Sequence, residues 1–102
     1  MVHNKLVRDL IPDIIRASGN DCRIKILDDA EYLAALDEKL TEELHEYQQD
    51  KSMEELADLL EVIRAAITAR GSTYEQVEAI RIAKAEKRGG FSARIHLIDT
   101  DF

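Results

Sequence analysis

Four acidic side chains stand out because their spacing would bring them together on a pair of helices. Glu43 and Glu46 are three residues apart, and so are Glu55 and Asp58. Side chains three residues apart lie on the same face of an α-helix. If the two segments form an antiparallel hairpin that turns near residues 50 and 51, positions equidistant from the turn face each other. Glu43 then lies opposite Asp58. Glu46 lies opposite Glu55 in the same way, so all four carboxylates converge.

Converging carboxylates raise each other's pKa and are costly to desolvate unless a positive charge neutralises them. Hard divalent cations do this well, and Mg²⁺ keeps several waters that leave room for substrate phosphates. The alternative is a solvated acidic face paired with lysines. Residues 26–61 hold thirteen acidic side chains and only two basic ones, Lys39 and Lys51, which weakens that alternative. Both interpretations stay open from the residues alone.

Other metal-binding and nucleophilic patterns are less convincing. Glu42 and His45 form a Glu-x-x-His pair, but a di-iron helical bundle needs two such pairs and two further glutamates. We therefore expect His45 to be a surface or supporting residue. Cys22 is the only cysteine, so it makes neither an internal disulfide nor a cysteine zinc site, which suits a reducing compartment.

Basic side chains cluster towards the two ends of the chain. Folded back over an acidic metal centre, they would form a site for a polyphosphate, whose charge the metal and the cations share. Gly89 and Gly90 would let a phosphate approach backbone N–H groups, although they also serve as a helix stop. The alternative for each basic residue is an ordinary solvated side chain. The candidates for phosphate binding are Lys5, Arg8, Lys84, Lys87 and Arg88.

Apolar periodicity and capping residues predict the elements that position these groups. We predict a short helix at residues 12–18 and a long one at 30–49, capped by Asp28 or Asp29. A second long helix at 52–70 and a third at 72–88 each begin with capping-box spacing, Ser52 with Glu55 and Ser72 with Glu75. In residues 22–27, apolar and basic side chains alternate, as in a short strand. Residues 91–102 contain another alternating stretch, which forms a strand or an arm.

Length, charge and apolar content limit the class of protein. We expect the 102 residues to form a single domain, 1–102, whose core is small enough that self-association would help it. The apolar arc of the helix at 52–70 is wider than one buried face needs, which favours a homodimer or homotetramer. The net charge is −7, and the block of thirteen acidic side chains at residues 26–61 argues against a nucleic-acid polymer as partner. No apolar run predicts a membrane span or a signal peptide, so we expect a cytoplasmic protein.

Four motifs, in order along nearly the whole chain, resemble a known family. The segments L-T-E-E-L-H-E-Y and E-E-L-A-D-L-L-E-V-I resemble the E-E-x-x-E and E-x-x-D signature of the MazG-like, all-α nucleoside triphosphate pyrophosphohydrolases. The segments N-K-L-V-R-D-L-I-P and K-R-G-G-F resemble its phosphoribosyl-ATP pyrophosphohydrolase-like branch. Eight residues separate Glu46 from Glu55, fewer than in typical members, so a base pocket must come from outside this turn.

The resemblance implies an all-α fold: a helical hairpin-based bundle completed by oligomerisation, with short extended segments at the termini. It implies hydrolysis of the α–β bond of a nucleotide to a monophosphate and pyrophosphate, by dimers or dimers of dimers. It also implies a Mg²⁺ site, with Mn²⁺ as a substitute and Glu42 completing the double glutamate. The implied metal ligands are Glu43, Glu46, Glu55 and Asp58.

The sequence therefore predicts a Mg²⁺-dependent nucleotide pyrophosphohydrolase. Glu42 or Glu46 is the candidate base for the attacking water, and the basic residues named above would bind the phosphates. The leading alternative is a non-catalytic, metal-dependent nucleotide-binding or regulatory protein of the same fold. A third interpretation is an interaction module whose acidic face is incidental. A divalent cation would stabilise the first two and leave the third unchanged.

Overall fold

The computed structural model describes residues 1–101 and contains four helices and no strand within that range. These are α1 (Ile11–Ala17), α2 (Asp29–Asp50), α3 (Met53–Ala69) and α4 (Tyr74–Arg88). The helix boundaries agree with the sequence prediction to within one or two residues. Of the four helices, none combines the length and apolar composition needed to cross a lipid bilayer.

A tight turn joins α2 to α3 and makes them an antiparallel hairpin. The side chain of Asp28 caps α2 by accepting from the backbone N–H of Glu31, and Ser52 caps α3 by accepting from the N–H of Glu55. Between the helices, Lys51 adopts the left-handed conformation at φ 57°. The short turn fixes which positions face each other, as the sequence analysis requires.

The prediction for the start of α4 is wrong by one residue. Thr73, and not Ser72, is the N-cap: its hydroxyl accepts from the N–H of Gln76, and the Gln76 side chain accepts from the N–H of Thr73. The Ser72 hydroxyl donates to the same Gln76 oxygen at 2.8 Å. Gln76 completes a reciprocal capping box, which Glu75 does not.

The predicted strand at residues 22–27 is also wrong, because these residues form an irregular segment. The tail is an arm rather than a strand over residues 91–101, and Phe102 lies outside the described residues. Alternating side chains make a strand only when a neighbouring strand pairs with its backbone. Over residues 1–101 neither segment has such a neighbour.

Little of the apolar surface is covered within one chain. Leu36 on α2 is 2% exposed and is the only large apolar side chain buried among residues 1–101. The radius of gyration is 18.3 Å. A compact chain of about 100 residues would have about 13 Å. Helix α2 packs against α3, and α3 packs lightly against α4, so most other apolar side chains are partly or fully exposed.

Candidate functional site

The hairpin brings together three of the four predicted metal ligands in a tight cluster. Carboxylate oxygens of Glu43 from α2 and of Glu55 and Asp58 from α3 lie within 4.8 Å of one another. Glu43 is 7% exposed, while Glu55 and Asp58 are half-buried. We call these three residues the acidic cluster. They come from both helices, so the cluster depends on the register of the hairpin.

Two oxygens of the acidic cluster are buried without a hydrogen-bond partner among the described residues. They are Oε2 of Glu43 and Oε2 of Glu55. A buried carboxylate oxygen is normally satisfied by a donor or a cation, because leaving it unpaired is costly. The unpaired oxygens and the all-carboxylate donor set fit a hard divalent cation such as Mg²⁺ or Mn²⁺.

Burial and neighbouring carboxylates raise the pKa of two residues of the acidic cluster. Burial raises the pKa of Glu43, and the negative charge of Glu46 raises it further, while Lys39 lowers it. Burial likewise raises the pKa of Glu55, and the charges of Glu46 and Asp58 add to the increase. Glu46 is exposed, but it is close enough to act on both residues. The predicted fourth acid therefore lies beside the acidic cluster and outside its tightest part.

Lys39 is a site residue that the sequence analysis counted only as a scarce counter-charge. Its Nζ lies 3.4 Å from Glu43 Oε1 and 3.3 Å from Glu42 Oε1, and its side chain is 15% exposed. Positions three and four residues apart on one helix meet in this way, so the spacing from Lys39 to the two glutamates was the available signal. Lys39 supplies a buried positive charge to Glu43.

The beginning of the chain folds back onto the hairpin, where Arg8 reaches the acidic cluster and Lys5 reaches the neighbouring Glu42. Arg8 Nη2 donates to Asp58 Oδ1 at 2.8 Å, across a separation of 50 residues. Lys5 Nζ lies 3.6 Å from Glu42 Oε1. Residues 1–10, which we call the N-terminal arm, contain no helix and are mostly exposed. The ion pair of Arg8 therefore attaches the arm to the acidic cluster.

The other predicted site residues lie further from this centre or at its edge. Lys84, Lys87 and Arg88 are exposed on the last turns of α4, and within residues 1–101 no ion pair joins them to the cluster. Their contact with phosphate stays a prediction. Glu42 is engaged by Lys39 and Lys5, and its role as a base also stays a prediction. His45 is exposed and outside the acidic cluster.

A groove lies on the hairpin, between the beginning of α2 and the end of α3. It has a volume of about 390 Å³ and includes Tyr32, Arg64 and Thr68 in its lining. Tyr32 precedes Glu43 by eleven residues on α2, which corresponds to about 16 Å along the helix. Glu61, which also lines the groove, is one turn from Asp58 on α3, so the groove begins next to the acidic cluster and extends away from it towards Tyr32.

Comparison with known proteins gives one partial match. A segment of 42 residues is 60% identical to an uncharacterized protein of Mycolicibacterium smegmatis, covering 41% of this chain and 43% of that protein. The chain thus matches less than half the length of this curated relative. No family model matches the chain, and no solved structure matches it.

Proposed function

We propose that the protein is a divalent-cation-dependent nucleotide pyrophosphohydrolase of the MazG-like class, with Mg²⁺ as its usual cation and Mn²⁺ as a substitute. The reaction is hydrolysis of the α–β phosphate bond of a nucleoside triphosphate or related nucleotide, giving a monophosphate and pyrophosphate. The observation that carries the proposal is the acidic cluster with its two buried, unpaired carboxylate oxygens. The sequence motifs of the same residues support it.

Glu43, Glu55 and Asp58 would hold the cation, and Glu46, which lies beside them, would complete the set. When bound, a divalent cation lowers the pKa of a coordinated water and neutralises charge on phosphate oxygens. Glu43 and Lys39 keep their positions because both are largely buried. Glu46 and Glu42 lie beside the ligands, and either would accept a proton from the attacking water.

Basic side chains at the edge of the acidic cluster would bind the phosphate chain. Arg8 and Lys5 already lie there, on a segment that is not part of the hairpin. Arginine can bind two phosphate oxygens at once through its planar guanidinium group. Lys84, Lys87 and Arg88 would contribute from α4, in this chain or in a second copy.

The test is release of pyrophosphate from a panel of ribo- and deoxynucleoside triphosphates with Mg²⁺ or Mn²⁺. Asp58→Ala and a metal-free sample are expected to be inactive, because each removes the cation from the site. Glu61→Ala, one turn further along α3 and exposed, is the matched control and is expected to retain activity. Circular dichroism of each variant checks that the helices persist.

The other outcomes of this experiment would each favour a different interpretation of the site. Release that persists in Asp58→Ala would contradict the proposed site. Metal-dependent nucleotide binding without release would favour a non-catalytic nucleotide-binding or regulatory protein. Loss of helix content in Asp58→Ala as large as the loss of activity would make this carboxylate structural.

We also propose that a second copy of the chain covers the apolar face of α3, giving a homodimer or a dimer of dimers. Met53, Leu60 and Ile63 are exposed on that helix, and Leu60 is 57% exposed. A single chain of this size seldom leaves so much apolar surface in water unless a partner covers it. Light scattering after size-exclusion chromatography should give at least twice the 11.6 kDa mass. Leu60→Lys should shift the population towards monomer, and a monomeric wild type would contradict the proposal.

A further inference from the structure

Two cations form ion pairs with carboxylates of the acidic cluster, and they are held in different ways. Lys39 lies on α2 next to Glu43, with a side chain that is 15% exposed. Arg8 comes from the N-terminal arm, and both its side chain (58% exposed) and that of Asp58 (41%) are open to water. The contact of Arg8 with Asp58 is therefore the one that can be exchanged without moving a helix.

We infer that Arg8 is an exchangeable counter-ion of the acidic cluster: it occupies Asp58 when no divalent cation is bound, and cation binding releases it together with the N-terminal arm. This inference rests on the cation site of the proposed function. It adds that filling the site changes the position of residues 1–10. The position of the arm therefore depends on whether the cation is bound.

Competition for one carboxylate is the physical basis of the exchange. The Asp58 oxygen that accepts from Arg8 belongs to the carboxylate that would bind the cation. An exposed ion pair contributes little to stability, because water and salt screen it. A divalent cation interacts with three carboxylates at once, so it displaces a single exposed guanidinium group. Lys5, whose partner is Glu42 at 3.6 Å, does not compete for these three residues.

The arm has few other contacts that would keep it on the hairpin after this exchange. Residues 1–5 and 7–10 are exposed, and Leu6 alone is half-buried in this stretch. Once released, Arg8 is held by no helix packing, because α1, which follows it in the chain, packs on none of the other three helices of residues 1–101. Its guanidinium group is then free to bind an anionic ligand such as a phosphate. Binding of phosphate by Arg8 thus follows binding of the cation.

The first measurement is Mg²⁺ affinity by calorimetry for the wild type, Arg8→Gln and Lys5→Gln. Arg8→Gln should bind Mg²⁺ about two- to five-fold more tightly, in keeping with removal of one exposed ion pair. Both variants lose one positive charge near the acidic cluster, but Arg8 contacts Asp58 directly whereas Lys5 contacts Glu42, so competition and a simple field effect both predict the larger change for Arg8→Gln. Equal changes would exclude competition at Asp58, and release of the arm, measured next, separates competition from a field effect.

The second measurement follows the arm itself by trypsin cleavage. Mg²⁺ should accelerate cleavage of the Lys5–Leu6 bond in the wild type, relative to the Arg94–Ile95 bond in the exposed tail of the same sample. In Arg8→Gln the arm is already free, so cleavage should be fast with or without Mg²⁺.

The outcomes separate this inference from the proposed function. If the wild type binds Mg²⁺ but Arg8→Gln and Lys5→Gln behave alike and cleavage does not respond to Mg²⁺, the exchange is overturned and the cation site stands. If the wild type binds no Mg²⁺, both are overturned. A larger change for Arg8→Gln with Mg²⁺-dependent cleavage supports the exchange.

Discussion

The acidic cluster has a closed side and an open side. On the closed side, Glu43 is 7% exposed and its partner Lys39 comes from the same helix. On the open side, Asp58 is half-buried and its partner Arg8 comes from a segment 50 residues away. One carboxylate therefore has a fixed counter-charge and the other has one that water can reach.

Because of this difference, we expect the closed side to hold a cation ligand in place and the open side to exchange its counter-charge. A buried pair on one helix keeps its geometry and holds a ligand in place, because moving it would leave a charge buried without a partner. An exposed pair between distant segments is weak and easily replaced.

Glu43→Gln should reduce cation-dependent pyrophosphate release by at least about 100-fold, because a catalytic metal site contributes several kcal/mol to lowering the barrier. The substitution keeps the size of the side chain and removes the charge. Glu38→Gln, on an exposed part of α2, is the matched control and should be almost as active as the wild type. Equal loss in both variants would contradict a specific role for Glu43.

Mg²⁺ should stabilise the wild type by about 2.7 kcal/mol when its concentration is 100 times its dissociation constant. The reason is that the folded hairpin binds the cation and the unfolded chain does not assemble the cluster. The measurement is urea unfolding at one fixed protein concentration, with and without Mg²⁺. Asp58→Ala should show no gain, and a gain as large as that of the wild type would place the stabilising cation elsewhere.

Lys39→Met should destabilise the cation-free protein by about 1–3 kcal/mol, since it leaves the buried Glu43 carboxylate without its partner. Arg8→Gln should cost only about 0.2–1 kcal/mol, the range of exposed ion pairs. Urea unfolding in the presence of a chelator gives both values. Equal costs would remove the distinction between a closed and an open side.

The smallest expected effect is a pH dependence of the cation-free protein. The folded state raises the pKa of Glu55 above its ordinary 4.5, so it holds that proton more tightly than the unfolded chain. Raising the pH from the ordinary pKa through the folded pKa should therefore lower the free energy of unfolding. Glu55→Gln should remove this component. The measurement is the free energy of unfolding of the wild type and of Glu55→Gln as a function of pH. If the two plots stay parallel across this pH range, the raised pKa of Glu55 is contradicted.

The hairpin was predictable because local signals and geometry agreed. Ser52 and Gly71 bracket α3, Asp28 begins α2, and the short turn then determines that Glu43 faces Asp58. Side chains three residues apart lie on one face of a helix, so Glu55 joins Asp58 on the face that meets Glu43. The acidic cluster was therefore predictable from the sequence. Glu46 was expected among the closest ligands, but its more exposed position depends on side-chain directions that spacing does not determine.

The remaining differences come from interactions that are not local. Residues 22–27 alternate like a strand, yet no other strand pairs with them within residues 1–101, and a single strand is not stable alone. The contact between Arg8 and Asp58 joins positions 50 residues apart, and charge content suggested the region without identifying the partner. At α4, two overlapping capping patterns were available, and only side-chain geometry selects Thr73.

The most direct test of a cation site in the acidic cluster is a titration with Mn²⁺, followed by the loss of the free-ion electron paramagnetic resonance signal. The samples are the wild type, Glu55→Gln and the control Glu61→Gln. We predict saturable binding by the wild type and by Glu61→Gln, and strongly weakened binding by Glu55→Gln. Absence of saturable binding in the wild type, or equal binding by all three proteins, would contradict a divalent-cation site in the acidic cluster.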